Sequence, residues 1–467
     1  MTQQELDLIL QKPIEDQIKD LSVSSFTVPK WDDLKKQYNP EEHSIVTNTQ
    51  KYPPIINEDT GADDMPRITR ALQKLAVKRV SQAEFVTPVE RVYSYDRKSE
   101  SQKKAIQIIE ELYRTQNEID AENLERAKQL NASCQVATVW RVYKEKNIIG
   151  DLESQYKLAH ASYSEMDGYK IYPNVDSNKK LIVISFGYKD SADKEYFDIY
   201  VGGLKPRFIS YTKGKDGWQL TELEKNPLPL TFFPVVYTNL KEPVWGGESG
   251  TKQVETIEET WSYRALYIKK NSAPVFVQDF GDTTGKSKSN AEEKDTDTKR
   301  IIPVGKGGSI KAVVWDNNNA ITKDQIKDME ASFFDDNQIA NIAFSVLINS
   351  QTSAENKDVV LTDAKAKAVD LGGEWQKVFN DELNGIVIPF AKVMFPSLSK
   401  DFDAISVRSI VKPYSIKTDK ENAEFVSVAG SAMSLETKVK KLGQVRDIDV
   451  EVEKIQSENS AAANQML

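Results

Sequence analysis

The residues able to do chemistry are few. The 467-residue chain holds one cysteine, Cys134, and two histidines, His43 and His160. A lone cysteine excludes an intramolecular disulfide and any cysteine-based zinc or iron–sulfur site. Set in the β-branched run CQVATVWRVY, it reads as core, not as a nucleophile. Two histidines leave little room for histidine-based acid–base or metal chemistry, and His160 has no recurring partner in the sequence. Gly281-Asp-Thr-Thr-Gly285-Lys286-Ser287 approaches a phosphate loop but is one residue short of G-x-x-x-x-G-K-[ST]. The polar run behind it, KSNAEEKDTDTK, cannot form the apolar helix whose N-terminus would face a phosphate. Gly305-Lys-Gly-Gly308 reads as a turn between strands. Asp447, Asp449, Glu451 and Glu453 diverge if placed on a helix and lack a glycine bend, so they read as a solvated face. Adjacent pairs such as Asp335-Asp336 and Glu258-Glu259 are too common among 71 acids to mark general acid–base work. No catalytic residue, metal site or cofactor is expected.

Charge and composition narrow the class further. Lys plus Arg number 62 against 71 acids, a net charge of −9, which argues against gripping nucleic acid through a broad cationic surface. Hydrophobic residues make up 39%, and with the glycines about 43%, under the roughly 45–50% of typical globular chains. Such a chain builds cores yet exposes much surface. The start, MTQQELDLILQKPIEDQIKDL, has no cationic start and apolar core of a secretory signal. The longest apolar stretch, residues 385–395, is too short to span a bilayer and contains a Lys and a Pro. A soluble protein of a reducing compartment, without a membrane partner, is expected.

The elements that must position any site follow from periodicity. Residues 1–60 are rich in Pro, Asn and Asp and read as a loosely packed arm. Ile68, Leu72, Leu75 and Val80 share a helical face, and a second helical block runs from about 101 to 130. Residues 134–143 read as a strand, and 155–240 as a β-rich part with Asp/Ser/Gly turns. Val254, Ile257, Trp261, Ala265 and Ile268 form one stripe of an amphipathic helix. A short strand at 274–280 precedes a polar loop, 282–300, of Gly, Ser, Thr, Asn and charge. Short strands are expected at 301–304 and 310–315. A helix from about 322 carries Ile326, Met329, Phe333, Ala340, Phe344 and Leu347 on one face. Gln351 to Asp358 is a polar break. A long helix follows with Leu371, Trp375, Val378, Leu383, Ile386 and Phe390, bent at Gly372-Gly373. A strand near 405–411, a helix from about 419 and a short charged helix close the chain.

The order of these segments resembles tailed-bacteriophage portal proteins. Trp218-x-Leu-Thr and the block NPLPLTFFPVVYTN, residues 226–239, are similar to the family's stretch ahead of the stem. Gly247, Ser249, Val254 and Glu255 resemble its segment leading into the stem, although Ser249-Gly-Thr-Lys replaces the acidic run usual there. NSAPVFVQDFG resembles the strand leading into the clip, and SLETKVKKLGQVRDIDVEVEKIQSE, residues 434–458, is similar to the family's closing pattern. The resemblance spans roughly residues 65–460 and has no catalytic anchor.

It implies an α+β portal fold: a wing of helices and a β-rich part, a helical stem, a small α/β clip and a short helical C-terminal crown. The boundaries it gives are an N-terminal arm 1–60, wing 61–245, first stem helix 246–271, clip 272–320, second stem helix 321–349, tunnel loop 350–358, long wing helix and return strand 359–418, and crown-like helices 419–467. It further implies a homo-oligomeric ring, usually a dodecamer, at one capsid vertex of the virion, assembled in the host cytoplasm, through which double-stranded DNA passes. The implied protein partners are the terminase large subunit, head-completion or adaptor proteins, and major capsid and scaffolding proteins. Channel candidates are then Asp324, Asp328, Asp335 and Asp336 on the second stem helix and Gln351, Thr352, Ser353, Glu355 and Lys357 in the tunnel loop. Clip residues facing the terminase are Lys286, Lys288, Lys299 and Arg300. Acids along a channel would suit sliding DNA, because each cation–phosphate contact adds affinity and friction. Two alternatives stand beside this reading: a nucleotide-binding enzyme built on residues 281–287, and another virion scaffold such as a tail or baseplate component.

Overall fold

Alternate residues of 181–189 and 195–201 are apolar on both sides, the pattern of strands covered on two faces. In the computed structural model they are the centre of a three-layer unit. The structure describes residues 1–56, 61–149, 151–203, 206–221, 232–271, 275–279, 309–313, 319–341, 359, 361–412, 419–442 and 448–465. It is a mixed α+β fold in which the paired strands are antiparallel.

The chain opens with α1 (Gln3–Ile9), α2 (Ile14–Leu21), α3 (Trp31–Tyr38) and the single turn α4 (Ser44–Thr47). Then come α5 (Leu72–Phe85), β1 (Glu90–Ser94), α6 (Glu100–Glu110) and α7 (Ile119–Ser133). The β-rich part holds β2 (Gln135–Tyr143), β3 (Asn147–Ile149), β4 (Leu152–Ser154), β5 (Lys157–Tyr163), β6 (Lys170–Val175), β7 (Leu181–Lys189), β8 (Glu195–Val201), β9 (Arg207–Gly214), β10 (Gly217–Leu220) and β11 (Val235–Asn239). After it come α8 (Gly247–Asn271), β12 (Val275–Asp279), β13 (Ser309–Val313) and α9 (Asn319–Asp336). The last part is α10 (Thr362–Glu382), α11 (Ile388–Met394), α12 (Ser399–Ala404), β14 (Ser406–Ile410), α13 (Asp419–Ala429), α14 (Leu435–Leu442) and α15 (Ile448–Gln465).

Strands β10-β9-β8-β7-β6 form one sheet and β11-β2-β5 a second. Ile184, Phe186 and Tyr200 pack with Ala137, Val139 and Val235 of the smaller sheet. Val183, Phe197, Ile199 and Val201 point the other way, onto Leu6 and Leu21 of α1 and α2. The loosely packed arm expected for residues 1–60 is therefore corrected: Leu6, Leu21, Leu34, Ile45 and Tyr52 are all buried. Thr2 and Glu5 form a capping box, each side chain bonded to the other's backbone N–H.

A second core joins α6, α7, α10 and α11 with β1, β2 and β14. Inside it Arg126 and Glu382, 1% and 0% exposed in their side chains, pair at 2.6 Å. Tyr113 Oη donates to Glu382 at 2.6 Å, and the guanidinium lies over Trp375 and Phe379. Such a pair depends on further hydrogen bonds, here from Tyr113 Oη to Glu382 and from Arg126 to Asn123 Oδ1, while Arg126 Nε has no partner. The His160 ring lies tilted against Trp140 beside this network, and its Nδ1 is 3.1 Å from Asn117 Oδ1. Burial and then the Arg126 charge hold its imidazole down to about 4, so it is a neutral core residue. Cys134 is likewise core, with burial pushing its thiol up to about 12.

Two helix limits differ from the periodicity. The helix expected to run to 349 ends at Asp336, because Gln338 takes φ 53°. Ile339 N–H donates to Phe334 O and Gln338 N–H to Asp335 O, a Schellman stop made without glycine. The helix expected to bend at Gly372-Gly373 continues through both glycines as α10. The irregularity is a π turn, Leu383–Val387, just ahead of Pro389, whose missing N–H breaks the α-helical ladder. Gly372 instead admits Val411, which a Cβ would meet at 3.4 Å.

Candidate functional site

The part of the chain most unlike an ordinary globule is α8 and α9 with the β12–β13 ribbon between them. Val254 and Ile257 of α8 are buried against Phe333 and Phe334 of α9, in a core shared with Leu34, Ala76, Val77 and Trp245. The expected α8 stripe is thus buried in its first half, whereas Ile268 near its end is 41% exposed, beside exposed Tyr263 and Tyr267. In the ribbon Val275 pairs with Val313 and Asp279 with Ser309.

On α9 the four acidic channel candidates are all exposed. At 3.6 residues per turn, Asp324, Asp328 and Asp335 fall within an arc of about 40° and along a line of about 16 Å. They lie opposite Ile326 and Phe333, which are buried. Asp336 is turned off this line. It accepts from Gln253 Nε2 at 2.5 Å and from Ser332 Oγ at 3.2 Å, and so holds α9 to α8. Glu330 is also committed, to Arg70 at 2.7 Å. The outer stripe is therefore three aspartates, with exposed Lys323 and Lys327 along one flank.

Where the chain passes into α8 and out of α9, a cavity of about 400 Å³ opens between Glu242, Ser249, Gln253, Asp336 and Lys367. Gly246 and Gly247 make this turn with φ 76° and 55°, and a Cβ on Gly246 would lie 2.6 Å from Asn337 Oδ1. Lys367 of α10 donates to the carbonyls of Val244 at 2.8 Å and Asn337 at 2.7 Å. Burial brings its ammonium down to about 8, against the pull of Glu242 and Glu84. Glu84, fully buried on α5, is pushed up to about 8 by burial, although Asn131 and Trp375 donate to it. Nothing in the helical run AKAKAV singles out Lys367. It is found only when the ends of two distant helices are brought together.

The N-terminal segment reaches the same helix. His43 lies 2.7 Å from Glu258 of α8, one of the acid pairs that sequence spacing gave no role. The signal that could have found it was the rarity of histidine. Among the described residues no group of three or more His, Cys, Asp or Glu could hold a metal ion, and no helix is long and apolar enough to cross a membrane. Gln351, Thr352, Ser353, Glu355 and Lys357, the clip candidates Lys286, Lys288, Lys299 and Arg300, the loop 281–287, Gly305 to Gly308 and Asp447 lie outside the described residues.

No family model matches the chain, and no curated protein matches it. Among solved structures it is similar to a chain described as the neck of an empty GTA particle computed with C6 symmetry. That likeness has 9% identity and a TM-score of 0.34, over 87% of this chain and 94% of the other. At that score it shows no function.

Proposed function

We propose that the chain is a portal protein of a tailed bacteriophage: one subunit of a ring, of twelve copies, at a single capsid vertex, through which DNA is packaged and ejected. The observation that carries this reading is the helix–ribbon–helix unit α8–β12–β13–α9, whose second helix turns Asp324, Asp328 and Asp335 outward in one line. DNA that must slide cannot be gripped. A wall of cations would release counterions at each phosphate and hold the duplex, whereas aspartates keep it off the surface. In this reading α8 and α9 are the stem, residues 272–320 the clip, 350–358 the tunnel loop, 61–245 with 359–418 the wing, and 419–467 the crown. The clip, with Lys286, Lys288, Lys299 and Arg300, meets the terminase large subunit and later the head-completion proteins. The wing meets capsid and scaffolding proteins. The subunit works by shape and charge and makes no bonds.

Electron microscopy of the purified chain tests this directly. The expected image is a ring with a channel wide enough for duplex DNA. Monomers alone, or a six-fold sheath, under assembly conditions would overturn it. So would tight, Mg-dependent ATP binding abolished by Lys286→Ala, which would favour a nucleotide-using enzyme.

A further inference from the structure

The contact between His43 and Glu258 is buried beneath the N-terminal segment. His43, 6% exposed, sits between α3 and α4, against α8. Its Nδ1 is 2.7 Å from Glu258 Oε1, and its Nε2 is 2.8 Å from the carbonyl oxygen of Gln37. Glu258, 1% exposed, also accepts the Arg70 backbone N–H at 2.7 Å. The charged groups around the pair are engaged elsewhere. On α8, Glu255 takes Ser44 and Lys51, and Glu259 takes the Tyr52 hydroxyl. The Arg70 guanidinium is turned to Glu330 of α9, Arg67 to Asp63 and to the carbonyls of Ile45 and Tyr52, and Lys35 to Glu42.

Counting hydrogens decides what this contact can be. A carbonyl oxygen only accepts, so Nε2 must carry a hydrogen. An ionised carboxylate also only accepts, so Nδ1 facing it must carry a second. A neutral imidazole has one N–H. The contact therefore needs one extra proton, either on the ring as an imidazolium–carboxylate pair or on Glu258, donating to a bare Nδ1. Both arrangements have zero net charge. Without that proton, two acceptors face each other at 2.7 Å and a net negative charge stays buried at a cost.

We propose that His43 and Glu258 form a proton-operated latch that fastens residues 31–52 to α8. The docked state binds one proton more than an opened state in which His43 is neutral and Glu258 ionised. Attachment is therefore strong in acid and weakens as pH rises through the value at which the pair lets its proton go. The latch concerns how the arm is held and does not depend on the portal reading.

The test is hydrogen–deuterium exchange at residues 43–52 of the full chain between pH 6 and pH 9.5, corrected for the intrinsic rate. Protection in the unmodified chain is expected to fall by about tenfold per pH unit once the proton is lost. His43→Asn removes the need for the proton, since its amide Nδ2, at the place of Nδ1, donates to the Glu258 oxygen that also accepts the Arg70 N–H. In that variant protection is expected to stay level across the range. Level protection in the unmodified chain, or the same slope in both, overturns the latch. Should His43→Asn fail to fold, ¹⁵N-histidine and ¹³C-carboxyl NMR of the His160→Gln chain read the protonation of His43 and of Glu258 directly. A bare ring nitrogen beside an ionised Glu258 at pH 7 would likewise overturn it.

Discussion

Lys367 Nζ lies 2.7 Å from the carbonyl oxygen of Asn337, the residue at which α9 turns off its axis. The same ammonium holds Val244, just ahead of α8, so one side chain of α10 grips both ends of the helix–ribbon–helix unit. In a ring that passes DNA, this is the joint at which stem and wing would be kept in register. Lys367→Met keeps the stem of the side chain and removes both hydrogen bonds. Bonds from a charged donor are worth about 1.5–3 kcal/mol each, offset by relief from burying the charge. A net loss of about 1–3 kcal/mol is expected in denaturant unfolding. Faster amide exchange should be confined to residues 244–250 and 336–341. An unchanged exchange map would show that the ends are held by packing alone.

Glu84 gives the chain a stability that depends on pH with a defined sign. Its carboxyl is raised from 4.5 to about 8 by burial. The folded state therefore binds more protons than the unfolded one between those values, and stability falls as pH rises through that window. The slope approaches about 1.4 kcal/mol per pH unit where the folded group is protonated and the unfolded one is not. Turning over the Asn131 amide would let its oxygen, otherwise without a partner, accept the carboxyl proton. Glu84→Gln should flatten the curve. Urea unfolding at pH 5.5, 6.5 and 7.5 checks this, and parallel curves for the two chains would rule Glu84 out as the cause.

Two glycines in helices should respond in opposite directions to alanine. A Cβ on Gly250 would sit 1.7 Å from the carbonyl oxygen of Trp245, and backbone cannot yield that distance. Gly250→Ala is expected to cost about 1–3 kcal/mol or more, by pushing α8 off Trp245. Gly373 in α10 has nothing within 4 Å of its missing Cβ, so Gly373→Ala should stabilise by about 0.5–1 kcal/mol. Calorimetry of both variants separates steric need from conformational freedom. Destabilisation by Gly373→Ala would show that Gly373 is needed for something other than space for its missing Cβ.

How much of this was legible follows the range of the interactions. Short-range signals worked: the alternation in 181–201 marked a sheet, and the i, i+3, i+4 spacing of Val254 and Ile257 marked the buried face of α8. The C-terminal end of α9 was misread for a specific reason. Gln338 stops α9 in a left-handed conformation that favours glycine, while α10 continues as helix through Gly372 and Gly373, the first of them set close to Val411. The candidate site divides the same way. The line of Asp324, Asp328 and Asp335 could be read from spacing. The separate duty of Asp336 toward Gln253, the grip of Lys367 and the pairing of His43 with Glu258 span 83, 30 and 215 residues, and no local pattern encodes them.

The acidic line on α9 makes the sharpest functional prediction. If Asp324, Asp328 and Asp335 face passing DNA, reversing Asp328 and Asp335 to Lys adds two phosphate contacts per subunit around the whole ring, each raising affinity for the duplex. Packaging should slow while rings still assemble. Folding stability should change by no more than about 0.5 kcal/mol, since both residues are exposed. Asparagine at both positions, which removes the repulsion without adding attraction, should fall between Lys and Asp. The slowing is electrostatic, so it should shrink as salt shortens the Debye length below about 10 Å. Asp336→Asn serves as the internal contrast. It weakens the bond to Gln253 and the contact of α9 with α8, so it should lower the unfolding midpoint without a salt-dependent change in packaging. Packaging at the normal rate with Lys at both Asp328 and Asp335 would remove this face of α9 from the channel wall.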